Sequence, residues 1–83
     1  MSPKYKVLSG SDIIKLFQKF GFEIVSQKGS HVKLKRLIKG QKQVLVIPNH
    51  RELDIGTLKS IYRQASVYIS EELLTDHFLY SDT

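Results

Sequence analysis

Apolar side chains first recur at helical spacing near the start of the chain. The stripe at i, i+3, i+4 and i+7 consists of Ile13, Leu16, Phe17 and Phe20. Ser9 is the expected N-cap, Asp12 occupies the capping-box position, and Gly21 marks the end of the pattern. These residues predict a first helix that buries one face.

Three strand-like segments follow this helix. They span residues 22–28, 31–37 and 43–47, and Pro48 ends the third. Between the first two lies Gly29-Ser30, and a two-residue loop that begins with Gly favours a type II′ hairpin turn. A longer loop, residues 38–42, is expected before the third strand.

Helical spacing returns after Asp54, the expected N-cap of a second helix. Its stripe consists of Leu58, Ile61, Tyr62 and Ala65. Ser70 predicts the cap of a short third helix, whose expected buried side chains are Leu73, Leu74 and Phe78. The order α-β-β-β-α with a short extra C-terminal helix predicts an α+β fold. Two helices would cover one face of a three-stranded antiparallel sheet and leave the other face free.

The register of the first hairpin predicts which side chains share a face. A two-residue turn places Lys28 across from His31, Ser26 across from Lys33, and Ile24 across from Lys35. The free face would then carry Lys28, His31, Lys33 and Lys35, and the covered face Val25, Val32 and Leu34. The same register puts Phe22 and Leu37 on the polar face, a conflict that a bulge or sheet twist would resolve.

Length and composition restrict the class of protein. With 83 residues, 41% of them hydrophobic and 25% charged, the chain is expected to be a single soluble domain spanning residues 1–83. The absence of Cys excludes disulfides, thiolate zinc sites and thiol catalysis. No segment has the apolar length of a signal core or a membrane span, so we expect a cytoplasmic protein without membrane contact.

Charge is distributed unevenly along the chain, whose formal net charge is +5. The segment from residue 24 to residue 51 contains no acid, and its basic residues are Lys28, Lys33, Lys35, Arg36, Lys39, Lys42 and Arg51. Acids without Lys or Arg follow from residue 64 onward. A basic centre of this kind favours a polyanion such as nucleic acid, although a solvated lysine-rich hairpin explains the charge equally well.

His31 among lysines has the parts needed for RNA cleavage without a metal. A neutral imidazole can accept a proton from a ribose 2′-hydroxyl, and ammonium groups can stabilise the phosphate. The alternative is an ordinary surface histidine. No carboxylate cluster or HExxH motif is present, so neither a metal site nor a cofactor is expected. His50 could be a second acid or base, or it could hold its loop in place, and the structural role is the favoured one.

Four ordered motifs carry a family resemblance. They are Gly21-Phe22-Glu23, Gly29-Ser30-His31, Ile47-Pro48-Asn49-His50, and Gly56-Thr57-Leu58-Lys59-Ser60-Ile61 with Gln64-Ala65. In order and spacing the set resembles the HicA-type mRNA interferase toxins, the YcfA-like family. The likeness covers about residues 8–65. The acidic helical tail, residues 66–83, departs from the pattern of many members.

The resemblance implies a fold like that of double-stranded-RNA-binding domains. It also implies a toxin of a type II toxin–antitoxin system, a metal-independent endoribonuclease that cleaves mRNA and blocks translation. His31, in the Gly-Ser-His motif, would be the catalytic residue, acting as general base or acid. The expected substrate-binding residues are Lys28, Gly29, Ser30, Lys33, Lys35 and His50. The implied partner is a HicB-type antitoxin that covers the active site in a hetero-oligomer.

Two further interpretations remain open at this point. One is a non-catalytic RNA-binding module of the same fold, and the other is an adaptor whose basic face meets an acidic protein. Double-stranded-RNA binders usually place a lysine cluster where their second helix begins, whereas here that turn reads Asp54-Ile55-Gly56-Thr57-Leu58. This difference counts against the first of the two.

Overall fold

The computed structural model describes residues 4–80, so positions 1–3 and 81–83 of the expected domain and tail lie outside the described residues. In chain order the elements are α1 (Gly10–Lys19), β1 (Glu23–Lys28), β2 (His31–Ile38), β3 (Gln41–Pro48), α2 (Ile55–Ser66) and α3 (Glu71–Phe78). This is the predicted order. No helix among residues 4–80 is long and apolar enough to cross a bilayer.

Side-chain caps fix where the first two helices begin. The Ser9 hydroxyl accepts from the Asp12 N–H at 3.0 Å, and the Asp12 carboxylate accepts from the Ser9 N–H at 3.0 Å, which completes the predicted capping box. The Asp54 carboxylate accepts from the hydroxyl and the N–H of Thr57 at 2.6 and 3.2 Å. Hydrogen bonds to the charged forms lower the pKa of both caps: Asp12 through the Ser9 N–H and then its hydroxyl, and Asp54 through Thr57.

The sheet is an antiparallel meander with β2 in the centre. The predicted turn between β1 and β2 is confirmed, with Gly29 at φ +60° as a type II′ turn requires. The predicted five-residue loop before β3 is wrong, because both strands extend to a two-residue turn at Lys39-Gly40. These two residues have φ of 52° and 79°, and positive φ at both central positions is the geometry of a type I′ turn.

Both helical stripes pack on one face of the sheet, which confirms the predicted α+β class. Along β2 and β3 the buried residues alternate with accessible ones; the fully or almost fully buried ones are Val32, Leu34, Leu45 and Ile47. They form a single core with the stripes of α1 and α2. Within residues 4–80 no helix packs on the other face, and we call it the open face.

A β-bulge at Val25 corrects the predicted register of β1. Ile24 pairs with Leu34 rather than with Lys35, and Glu23 pairs with Lys35. The extra residue reverses the alternation, so Phe22 enters the core at 2% exposure and meets the Phe17 ring edge-on. Burial of one Phe is worth about 1.5–3 kcal/mol, which favours the bulge over an unbroken ladder. The prediction that Val25 lies in the core is wrong; it is 47% exposed.

The C-terminal segment belongs to the core. Leu74 and Phe78 of α3 are fully buried, whereas Leu73, also predicted to be buried, is 57% exposed. The Tyr62 hydroxyl of α2 is hydrogen-bonded to that of Thr75 at 3.0 Å. Beyond α3 the chain pairs with the N-terminal segment, where Tyr5 bridges Leu79 in antiparallel fashion. Residues 69–79 therefore complete the hydrophobic core.

Candidate functional site

The hairpin tip, residues 28–31, brings the predicted catalytic residue to the edge of the open face. Lys28 pairs directly with His31, and Ser26 pairs with Lys33, as the two-residue turn predicts. All four side chains are exposed. Because cross-strand partners share a face, an imidazole and two ammonium groups lie on one accessible surface.

Lys35 occupies a different environment from Lys28 and Lys33. It is half-buried, and its cross-strand partners are Glu23 on β1 and Val44 on β3. The bulge at Val25 brings that carboxylate onto the open face opposite Lys35. Positive charge is therefore concentrated toward the hairpin tip and weakened toward the far end of β1.

The third strand adds one lysine and two valines to the open face. Val46 pairs with Lys33, Val44 with Lys35, and Lys42 with Leu37. The sequence predicts Lys42 in a loop, but β3 is longer than predicted and places it on the open face with Lys28, Lys33 and Lys35. We call Lys28, Lys33, Lys35 and Lys42 the open-face lysines.

A second histidine reaches the hairpin tip from the loop of residues 49–53. Nε2 of His50 and the Ser30 hydroxyl are hydrogen-bonded at 3.1 Å. The Asn49 N–H donates to the Ser30 carbonyl at 2.6 Å, so backbone and side chain both connect this loop to the turn. Sequence alone did not place His50 beside Gly29-Ser30, because the contact spans twenty residues and depends on how β3 ends.

Gly10, the first residue of α1, supports this loop from the opposite side. Its N–H donates to the His50 carbonyl at 2.8 Å. A Cβ at this position would overlap the Pro48 carbonyl oxygen and lie 2.6 Å from Asn49 Cα and 2.9 Å from His50 N. Sequence reasoning missed Gly10, since a glycine after an N-cap serine carries no signal for such a distant approach.

Arg36 is the one basic residue of β2 that lies on the covered face. Its guanidinium donates to the Phe20 carbonyl at 2.7 Å, the Gln43 side chain at 2.6 Å and the Tyr68 carbonyl at 3.3 Å. It also stacks 4.7 Å from the Phe22 ring centroid. Partial burial lowers the pKa of Arg36 below its usual value. This residue joins the sheet to two loops, so it is structural rather than part of a phosphate surface.

The arrangement can transfer protons and bind phosphate on one exposed surface. Two imidazoles are connected to the same turn, and lysines extend from it across the open face. Among residues 4–80 no group of three or more His, Asp or Glu side chains is placed to hold a metal ion. The residues at hand suit acid–base chemistry on an anionic substrate.

Comparison with known proteins identifies the family of the chain. The family model described as HicA toxin of bacterial toxin–antitoxin matches residues 10–67. The matched segment begins at Gly10 and includes the hairpin tip, the 49–53 loop and α2. Neither a curated protein nor a solved structure matches the chain. With well over half of its residues covered by the family model, the chain belongs to the HicA toxins of bacterial toxin–antitoxin systems.

Proposed function

We propose that this toxin is a metal-independent endoribonuclease that cleaves mRNA and thereby blocks translation. The observation that carries the proposal is the position of His31. It is exposed on the open face, next to the turn and directly across from Lys28. An imidazole and an ammonium group at one point on a free surface provide a proton acceptor and a phosphate-binding charge together.

In the proposed reaction His31 removes the proton from a ribose 2′-hydroxyl. The 2′-oxygen then attacks the adjacent phosphorus, and the bond from phosphorus to the 5′-oxygen breaks. The products are a 2′,3′-cyclic phosphate and, once the departing 5′-oxygen has taken up a proton, a 5′-hydroxyl. Lys28 and Lys33 stabilise the negative charge that grows on the phosphate during the attack.

The substrate-binding assignment follows the distribution of charge and access. Lys28, Lys33 and the turn residues Gly29 and Ser30 surround His31, and we assign them to the scissile phosphate. Lys35, opposite Glu23, is further along the strand and is assigned to a neighbouring phosphate, with Lys42 beyond it. The site lies on an exposed sheet face, where lysines can contact the phosphates of a single strand.

The partner of a toxin in such a system is an antitoxin. We propose that it is a HicB-type protein that covers the open face around His31 in a cytoplasmic hetero-oligomer, because a cover there excludes RNA directly. The open face also offers exposed apolar side chains for such an interface: Leu37 is 61% exposed and Val46 is 39% exposed. Protein interfaces generally combine an apolar centre with a charged rim.

The direct test is RNA cleavage by purified wild-type and His31→Ala toxin in buffer with EDTA. We expect the variant to cleave about 10²–10⁴-fold more slowly, since general acid–base action contributes that much. An exposed tip residue contributes little to packing, so the free energy of unfolding should change by no more than about 0.5 kcal/mol.

The matched control is His77→Ala, which removes the exposed histidine of α3 and should leave cleavage unchanged. A folded His31→Ala protein that cleaves at the wild-type rate would refute the assignment. Wild-type protein that binds RNA without cleaving it would indicate the non-catalytic RNA-binding module instead.

A further inference from the structure

We propose that His50 is the general acid that protonates the departing 5′-oxygen. The inference rests on the proposed function, in which His31 takes the proton from the 2′-hydroxyl. It assigns a catalytic role to a residue for which the sequence favoured a structural one.

Geometry of the reaction requires a second proton carrier. In an in-line displacement the attacking and departing oxygens lie on opposite sides of the phosphorus. One imidazole that accepts the 2′-proton on one side cannot in the same step donate a proton on the other. The departing oxygen would otherwise leave as an alkoxide, a strong base.

His50 is placed where such a donor is needed. Its ring is hydrogen-bonded to Ser30, the residue next to His31, and Pro48, two residues before His50, is the cross-strand partner of His31. Both histidines are exposed at the same end of the sheet. Within residues 4–80 the contact to Ser30, through Nε2, is the one hydrogen bond of the His50 ring, so Nδ1 is free to donate to a substrate oxygen.

The loop does not need the imidazole to hold its shape. Its backbone is fixed by the hydrogen bonds from Gly10 N–H to the His50 carbonyl, from Asn49 N–H to the Ser30 carbonyl, and from Leu53 N–H to the Leu8 carbonyl. A main chain held at these points fixes the position of the His50 Cα, and the hydrogen bond between Nε2 and the Ser30 hydroxyl orients the ring. Preorganised placement of this kind is what proton transfer in a transition state demands.

In the complete step each of the two histidines transfers one proton. The 2′-hydroxyl proton passes to His31, the bond between the 2′-oxygen and phosphorus forms, and the bond between phosphorus and the 5′-oxygen breaks. The 5′-oxygen leaves with a proton from Nδ1 of His50. Afterwards His31 is protonated and His50 is neutral, and exchange with water restores both.

A change of leaving group tests the acid role. The cut site is first mapped in an RNA oligonucleotide with the wild-type protein. The same oligonucleotide is then made with sulfur in place of the bridging 5′-oxygen at that linkage, because a thiolate leaves without protonation. Wild type, His50→Ala, His50→Gln and His31→Ala are compared on both substrates, with His77→Ala as the matched control.

We expect His50→Ala to cleave the natural linkage about 10²–10³-fold more slowly and the sulfur linkage within about five-fold of wild type. His50→Gln should behave alike, since its amide can reach Ser30 but cannot transfer a proton. His31→Ala should lose activity on both substrates. The midpoint of thermal unfolding of the His50 variants should stay within about 4 °C of wild type.

The alternative outcomes separate this inference from the proposed function. Wild type that cleaves neither substrate overturns the proposed function, and the role of His50 with it. Active wild type with His50 variants equally active on natural RNA overturns the acid role alone. An equal loss on both linkages, or recovery of activity in His50→Gln, makes His50 a positioning residue and also overturns the acid role.

Discussion

Replacement of Gly10 by Ala tests the contact that fixes the 49–53 loop. The new Cβ would lie 2.6 Å from Asn49 Cα and 2.9 Å from His50 N, both backbone atoms, and would overlap the Pro48 carbonyl oxygen. Ordinary van der Waals contacts of a Cβ begin near 3.4 Å, so the loop and α1 must separate. The protein cannot relieve this overlap by rotating a side chain.

The size of the effect follows from three contributions. Overpacking of this kind costs about 1–3 kcal/mol. Separation of the loop also weakens the hydrogen bond from Gly10 N–H to the His50 carbonyl, with a net worth of about 0.5–1.5 kcal/mol. The higher helix propensity of Ala than of Gly offsets these losses by about 0.5–1 kcal/mol. We therefore expect Gly10→Ala to lower the free energy of unfolding by about 0.5–4 kcal/mol.

Gly56→Ala is the matched control, because Gly56 also lies in the first turn of a helix. A Cβ there would lie 3.1 Å from one oxygen of the Asp54 carboxylate, a side-chain atom that has to shift by only a few tenths of an ångström. The free energy of unfolding of Gly56→Ala should therefore stay within about 1 kcal/mol of wild type.

Urea denaturation followed by circular dichroism measures both variants against wild type. Because His50 belongs to the loop that is displaced, the rate of RNA cleavage by folded Gly10→Ala should also fall, whereas Gly56→Ala should cleave RNA at the wild-type rate. A Gly10→Ala protein within about 0.5 kcal/mol of wild type, with normal cleavage, would refute the reasoning.

Three further predictions concern the core, the helix caps and RNA binding. Leu34→Ala removes a fully buried side chain and should cost about 2–5 kcal/mol in urea denaturation; a loss below about 0.5 kcal/mol would place Leu34 outside the core. Hydrogen bonds from Thr57 lower the pKa of Asp54 below its usual value of 3.8. The charged carboxylate therefore stabilises the fold above pH 3.8, and this stabilisation is lost as the pH falls through the lowered pKa of the folded protein. Between about pH 5 and pH 2 the melting temperature of Asp54→Asn should therefore decline less steeply than that of wild type, and parallel curves would contradict a charged cap. If the open-face lysines contact about four phosphates, a plot of the logarithm of the binding constant for single-stranded RNA against log[salt] should have a slope near −3. Lys33→Ala should reduce the magnitude of this slope by about 0.7, and a slope near zero for wild type would contradict phosphate binding by these lysines.

Local signals predicted the hairpin tip and the helix starts correctly. Gly29 permits the positive φ of a type II′ turn, and a two-residue turn then determines the pairing of Lys28 with His31 without help from the rest of the fold. The caps at Ser9 and Asp54 follow equally from neighbouring residues.

Features that depend on tertiary packing could not be predicted in this way. The bulge at Val25 exists because Phe22 must enter the core, although the conflict over Phe22 in the unbroken register indicated that some irregularity was needed. The turn at Lys39-Gly40 was missed because Lys rarely adopts the positive φ of a type I′ turn. The sequence predicts that both Leu73 and Leu74 are buried, but only Leu74 is. Which of the two faces the core depends on the surface against which α3 packs, and the pattern of so short a helix does not reveal that surface.

Contact between the two end segments has a consequence for how the site is divided along the polypeptide. The Tyr80 N–H donates to the Lys4 carbonyl at 2.9 Å, so residues 4 and 80 are neighbours in space. A circular permutant joined from residue 80 to residue 4 by a few glycines, and opened at the Lys39-Gly40 turn, keeps all six elements whole. In that order His50 lies near the new beginning and His31 near the new end. Split at the same turn, the protein becomes two fragments, one with His31 and the other with His50, so neither fragment alone contains both of the histidines that we propose as proton carriers.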